Sequence, residues 1–196
     1  MKFNVNEVEA LIANRRTIKP EEFGDVEVTE KMINRVLASA NWAPTHGYTE
    51  PWRFVVFCND GLKKLSNFHT ELYKSVTPFE KFKQVKYDKI ASRLSKTSVA
   101  IALIMKRGEN EKIPEIEELL ATGCAVQNMQ LMATALGLGA YWGSGGMTYH
   151  PEMIKFLGYG PKDKMLGFMY LGFPKNEWPT GKRLTPIEKK VNWITD

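Results

Sequence analysis

Two adjacent arginines near the start of the chain are the residues best suited to hold an anion. Arg15 and Arg16 stand between Asn14 and Thr17, so two guanidinium groups are flanked by an amide and a hydroxyl. Guanidinium donors match phosphate oxygens in geometry as well as in charge. Taken alone, such a pair is more often solvated charge at the negative end of a helix dipole. The anion hypothesis therefore depends on the rest of the sequence.

A second set of candidate residues lies in the C-terminal half. Glycines occupy three of the four positions 143–146, around Ser144, directly after a short apolar stretch that ends at Trp142. Such glycines let a backbone approach something flat or charged, although a tight turn is an equally good interpretation. Lys182 and Arg183 add positive charge near the C-terminus. These cations and the arginine pair are expected to converge on one anion.

Composition and length are those of an ordinary globular protein. The chain has 196 residues, of which 43% are hydrophobic and 25% charged, which is enough for one well-buried domain or for a subunit that completes its core by association. No run approaches the roughly 18 apolar residues of a membrane span, and residues 1–20 lack the apolar region of a secretion signal. We therefore predict a cytoplasmic protein with a single domain over 1–196 and no membrane partner.

A net charge of +5 permits a polyanionic partner without requiring one. Basic residues are densest between 81 and 96, on a predicted helix that also carries acidic neighbours and no nucleic-acid motif. A solvated helix face is the preferred interpretation, so no nucleic-acid partner is predicted. A nucleic-acid-binding module is kept as a third functional hypothesis.

Histidine and cysteine positions give no metal signature. His46, His69 and His150 do not have metal-ligand spacing. Cys58 and Cys124 are far apart and flanked by apolar residues, so we expect buried free thiols and no metal site.

Hydrophobic periodicity predicts the elements that would position the candidate residues. Helices are expected at 5–14, 29–41, 62–73, 81–95, 115–136 and 151–157, and strands at 53–58, 98–105, 140–142 and 165–171. The uniformly apolar 98–105 strand belongs in the middle of a sheet. The 115–136 helix is apolar on more than one face, so it must be central, or half of a dimer interface, or both. This mixture indicates a single α/β or α+β domain.

Familiar catalytic motifs are absent from the sequence. It contains no Gly-x-Ser-x-Gly elbow, no Walker A loop and no Gly-x-Gly-x-x-Gly after the first strand. A protein of this kind can bring its chemistry as a bound cofactor.

The sequence is similar to the nitroreductase family of FMN-dependent NAD(P)H oxidoreductases, in its short single-domain branch. The matching segments occur in the family's order and cover almost the whole chain. They are Asn14-Arg15-Arg16-Thr17, Ala43-Pro44-Thr45-His46, Pro51-Trp52-Arg53-Phe54, 123–128, 137–144, Leu171-Gly172-Phe173-Pro174 and Lys182-Arg183.

This resemblance implies an α+β fold, an α/β/α sandwich with a central, mainly antiparallel sheet, and an interlocked homodimer with FMN at the interface. Positions that match the family's cofactor contacts are Arg15, Arg16, Thr17, Trp42, His46, Trp142, Gly143, Ser144 and Arg183. By resemblance, 15–17 hold the phosphate, ribityl chain and pyrimidine edge, and Arg183 also contacts the phosphate. Residues 142–144 lie against the ring, and positions 42 and 46 reach it from the partner subunit.

The implied activity is hydride transfer from NADH or NADPH through FMN to a small electron-poor acceptor, such as a nitroaromatic or a quinone, by a ping-pong mechanism. A flavin-binding redox sensor without efficient turnover is the alternative. No dedicated catalytic residue is predicted, and proton donation by His46 stays open beside a simple flavin contact. Tyr48 and Glu50 depart from the commoner family pattern. Residues 62–96 are a candidate lid, and 175–196 form a C-terminal tail.

Overall fold

Four strands form one antiparallel sheet in the computed structural model, which describes residues 2–195. They are β1 (Trp52–Phe57), β2 (Val99–Met105), β3 (Gly139–Gly143) and β4 (Lys164–Gly172), arranged in the order β1-β2-β4-β3. The apolar strand β2 lies between β1 and β4, and all seven of its residues are buried. The predicted central strand is therefore confirmed.

Helices cover both faces of this sheet. They are α1 (Val5–Asn14), α2 (Glu30–Ala40), α3 (Asp60–Val76), α4 (Gln84–Ser95), α5 (Glu115–Ala135) and α6 (Pro151–Phe156). Thr29 caps α2 as its sequence predicts, since its hydroxyl accepts a hydrogen bond from the Met32 N–H at 3.3 Å. The longest element, α5, packs most extensively against α2.

Side chains of β2 alternate between two cores because successive residues of a strand point to opposite faces. Val99, Ile101 and Leu103 pack with α2 and α5. Ala100, Ala102 and Ile104 pack on the other face, which α3, α4 and α6 cover. This arrangement confirms the predicted α+β sandwich with an antiparallel central sheet.

One long helix is only half buried. Ala121, Ala125 and Met129 of α5 face the core, whereas Ile116 and Leu120 are 58% and 62% exposed. The chain by itself thus buries one face of this all-round apolar helix and leaves the other open.

Both cysteines are exposed, so the expectation of buried thiols is wrong. Cys124 has apolar neighbours in sequence, but Ala125 and Val126 turn towards the core while Cys124 shares the outer face of α5 with Leu120. Cys58 follows the last residue of β1, where the chain turns outward.

Helices α3 and α4 make up most of the 62–96 stretch, the candidate lid. Leu65 and Tyr73 of α3 and Leu94 of α4 are buried, whereas Phe79, in the connection between the two helices, is 97% exposed. Within residues 2–195, no helix is long and apolar enough to cross a membrane.

Candidate functional site

The arginine pair lies against the free edge of the sheet. Thr17 forms a parallel bridge with Ala140 of the edge strand β3, and the Ile18 N–H donates to the Ala140 carbonyl at 3.2 Å. Because α1 ends at Asn14, Arg15 and Arg16 fall in the turn between that helix and this bridge. The fold thereby places them beside the strand that leads into the glycine-rich segment.

Arg15 is a half-buried cation among other cations. Its Nη1 donates to the Gln130 Oε1 of α5 at 3.0 Å. Burial, followed by the charges of Arg183 and Arg16, lowers the pKa of Arg15 below its ordinary value. Among residues 2–195, none of these three arginines forms an ion pair with a carboxylate. Three guanidinium groups without an acidic partner are a candidate site for an anion.

Arg16 connects this site to the C-terminal tail. Its Nε donates to the Pro179 carbonyl at 3.1 Å, and its Nη1 donates to the carbonyls of Ala13 and Arg15, both at 2.6 Å. The Trp178 Nε1 donates to the Asn14 carbonyl at 2.7 Å. These bonds draw residues 178–183 onto the end of α1, which explains how Arg183 comes close to Arg15. They also occupy most of the donors of Arg16.

The end of β3 presents backbone to the same edge. The Trp142 Nε1 donates to the Leu166 carbonyl of β4 at 2.8 Å, so its ring lies across the sheet. Gly167, at φ 138°, leaves the room that this ring needs. Beyond buried Gly143, Ser144 is exposed, and within residues 2–195 the N–H groups of Gly145 and Gly146 make no hydrogen bond.

His69 holds the far side of this loop. Its side chain is 4% exposed, and its Nε2 accepts a hydrogen bond from the Met147 N–H at 2.7 Å. Burial, with a smaller contribution from the charge of Arg93, lowers the pKa of His69 to about 4. The guanidinium of Arg93 lies over the rings of Tyr141 and Tyr170, with centroid distances of 5.4 and 5.9 Å.

Acid is expected to destabilise the protein through His69. Its pKa is about 4 when folded and about 6.5 in an unfolded chain. The unfolded state therefore binds the proton first as the pH falls below about 6.5, and the folded state binds it only near about 4. Between about pH 7 and 4.5, wild type should lose about 2–3 kcal/mol more unfolding free energy than His69→Gln.

Urea unfolding of both proteins at the two pH values measures this difference. The Gln variant controls for the carboxylates, which titrate equally in both proteins. Equal losses in wild type and variant would contradict a buried, neutral imidazole.

One predicted contact, His46, does not join this site within one chain. His46 Nδ1 lies 2.5 Å from Glu117 Oε2 near the start of α5, whereas Arg15 contacts Gln130 in its second half. At 1.5 Å per helical residue, these two positions on α5 are about 20 Å apart. Trp42 is 85% exposed and lines a groove of about 530 Å³ with residues of α1, α2 and α5.

The loop between α2 and β1, which carries His46, has a strained backbone. Gly47, Tyr48 and Glu50 have φ values of 56°, 53° and 40°, and such values are costly for residues other than glycine. The Thr45 hydroxyl accepts from the Glu50 N–H at 3.2 Å and helps to hold the turn. The two departures from the commoner family pattern, Tyr48 and Glu50, are thus the two non-glycine residues in this unusual conformation.

Sequence reasoning did not identify Gln130, His69 or Trp178 as parts of the site. Gln130 carried a usable signal, because it is a polar residue on the apolar helix α5 and is buried. The sequence position of His69 bears only on metal binding, for which its spacing gives no signature. Among residues 2–195, no group of three or more His, Cys, Asp or Glu side chains is placed to hold a metal ion.

The sequence of the chain matches a known protein family. The model of the Nitroreductase family matches residues 12–173. A curated Escherichia coli K12 protein named "Putative NAD(P)H nitroreductase YdjA" is 30% identical over 165 residues, which cover 84% of this chain and 87% of that protein.

Solved structures agree in fold. A nitroreductase-like family protein from Bacillus cereus has a TM-score of 0.84 at 28% identity, with 100% of this chain and 99% of that chain covered. The FMN-dependent nitroreductase NfnB from Mycobacterium smegmatis, solved with NADPH, has a TM-score of 0.74 at 16% identity and covers 97% of this chain and 99% of its own. At that identity the likeness concerns the fold alone.

Proposed function

The chain belongs to the nitroreductase family, and from that premise we propose that it is an NAD(P)H-dependent flavin oxidoreductase that binds FMN. The observation that carries the proposal is the group of three guanidinium groups, those of Arg15, Arg16 and Arg183, without a carboxylate partner beside β3. Such a group is costly to assemble unless an anion offsets the repulsion.

The residues present fit this cofactor. A flavin mononucleotide has a phosphate with nearly two negative charges and a flat, apolar ring with polar edges. Arg15 and Arg183 offer charge for the phosphate or for the electron-rich edge of the ring. Arg16 also holds the tail in place, since its Nε and Nη1 already donate to backbone carbonyls. The unpaired N–H groups of Gly145 and Gly146 can donate hydrogen bonds to acceptor atoms at the polar edge of the ring.

Bound FMN would accept a hydride from NADH or NADPH and pass the electrons to a small electron-poor acceptor, such as a nitroaromatic or a quinone. A guanidinium beside the ring stabilises the negative charge that reduction creates, which is the electrostatic role proposed for Arg15. Ser144 is exposed at the end of β3, where an open surface suits two substrates that visit in turn. This sequential use of one site is the proposed ping-pong mechanism.

A second copy of the chain completes the site. His46 contacts the opposite half of α5 from Arg15, so within one subunit it is remote from the proposed cofactor. In a homodimer built on the exposed faces of α1 and α5, Trp42 and His46 of one subunit would approach the cofactor of the other. We therefore propose an interlocked homodimer with two FMN sites at its interface.

Spectroscopy of the purified protein tests the proposal directly. We expect a yellow protein that releases FMN on denaturation, and initial rates that give parallel double-reciprocal lines when NAD(P)H and a quinone are varied. A colourless protein that gains no flavin spectrum on addition of FMN would rule out the proposal. Rapid mixing with NAD(P)H distinguishes the enzyme from a redox sensor. Fast reduction of the bound flavin is expected of the enzyme, and a flavin that stays oxidised is expected of the sensor.

A further inference from the structure

We propose that His69 is a positioning residue for the cofactor-facing loop 143–148, acting through its hydrogen bond to the Met147 N–H. This inference rests on the proposed function, since the loop matters to FMN only if FMN binds beside it. His69 itself is buried beneath the loop and is not expected to touch the cofactor.

The hydrogen bond joins two distant parts of the chain. His69 belongs to α3, which packs on the sheet, and its Nε2 accepts from Met147 at 2.7 Å. An imidazole that accepts at Nε2 carries its proton on Nδ1, so this bond requires the neutral ring. The low pKa of His69, about 4, keeps the ring neutral at physiological pH. The acceptor is therefore permanently available to the loop.

The loop is shaped to lie flat on this histidine. Gly146 has φ 73°, and a methyl group at its Cα would overlap His69 Nε2. On the loop itself, the Thr148 hydroxyl donates to the Gly145 carbonyl at 2.7 Å, and Thr148 is 1% exposed. These contacts fix the carbonyl of Gly145 and the N–H of Met147 on the buried side.

Two other backbone N–H groups of the loop therefore remain available to a ligand. The N–H groups of Gly145 and Gly146 have no acceptor within residues 2–195, and they precede the anchored N–H of Met147. A preorganised donor needs no rearrangement when its ligand binds, which raises affinity. Loss of the anchor would let the loop move and weaken its contact with FMN.

Variants of His69 test this role. His69→Leu removes the acceptor at similar volume, and we expect FMN affinity, measured by flavin fluorescence on titration of flavin-free protein, to fall about tenfold. His69→Gln restores an acceptor at a similar reach and should stay within about threefold of wild type. His150→Leu is the matched control, because His150 Nδ1 also accepts a backbone N–H, that of Glu152 at the start of α6, and its loss should leave FMN affinity unchanged.

Gly146→Ala approaches the same contact from the loop. The added methyl should displace the loop from His69 and lower FMN affinity about tenfold with the histidine intact. If both changes act through one contact, the double variant should lose little more than either single variant. The rate of flavin reduction by NAD(P)H at saturating FMN should fall in the same pattern, which a general loss of stability would not produce.

Several outcomes would overturn the inference. One is a folded His69→Leu variant that binds FMN with wild-type affinity. Another is a double variant whose loss of affinity equals the sum of the two single losses. A third is a His69→Gln variant that binds FMN no better than His69→Leu. If His69→Leu does not fold, wild-type FMN affinity in Gly146→Ala would still overturn it. Absence of FMN binding by wild type would instead contradict the proposed function, so the two failures are distinguishable.

Discussion

Arg15→Ala is expected to give a folded protein whose affinity for FMN is about 100-fold weaker than that of wild type. Arg15 is half-buried, bonds to Gln130 and faces the like charges of Arg16 and Arg183. Its charge-assisted bonds to an anionic ligand would form where water is partly excluded, which makes them stronger than surface contacts. Relief of the repulsion within the cluster offsets the loss of the bond to the buried Gln130, so the flavin-free protein is expected to stay folded.

Three companion variants sharpen this experiment. Arg15→Lys keeps the charge but loses the forked donors, so an intermediate affinity is expected. Arg16→Ala should also yield flavin-poor protein, through release of the tail that carries Arg183. Lys64→Ala removes one positive charge from an exposed position on α3 and controls for net charge. Full FMN occupancy in both Arg15→Ala and Arg16→Ala would mean that the two arginines are ordinary surface charges that FMN binding does not need.

Most elements of the fold were predictable because their signals are local. Thr29 caps α2 through its own hydroxyl, and the run Val99–Met105 is apolar at every position. Hydrophobic periodicity and helix capping are properties of short segments, so they can be recognised without knowledge of the rest of the chain. The same holds for the arginine pair, whose position at the end of α1 follows from the helix that precedes it.

The parts of the site that escaped prediction depend on contacts between distant residues. His69 and Met147 are 78 positions apart, and no local pattern announces that an α3 side chain will meet a loop after β3. Residues 178–181 meet Asn14 and Arg16 in the same way. Cys124 was misplaced because apolar neighbours in sequence do not share a helix face. The partner of His46 on α5 likewise required the tertiary fold.

Exposed apolar side chains on α1, α5 and the tail are the physical argument for a second subunit. Helix α1 has no buried residue, and its Val5, Val8 and Ile12 are exposed. On α5, the apolar side chains of Ile116 and Leu120 are also exposed. The tail adds Leu184, 90% exposed, and Trp193, 84% exposed. Clustered apolar surface marks an interaction site, and α1, which carries three of these residues, packs directly on α5.

Leu120→Lys is expected to prevent dimer formation and, with it, stable FMN binding. In a two-fold symmetric interface each residue is used by both copies, so the change removes two buried leucines and inserts two charges. Loss of about 2–3 kcal/mol per leucine, added to the cost of burying each ammonium, predicts a dissociation constant raised by at least about 1000-fold. Sedimentation velocity and the flavin spectrum of the same sample measure both effects.

Val26→Lys provides the control for this experiment. Val26 is also an exposed apolar residue, but it lies before α2 and outside α1, α5 and the tail, so dimer and flavin should be unchanged. Because Leu120 is remote from the arginine cluster along α5, a monomeric and flavin-poor Leu120→Lys protein would mean that FMN needs residues from both subunits. A monomer that keeps FMN with wild-type affinity would instead assign the cofactor to one chain, and would remove Trp42 and His46 from its site.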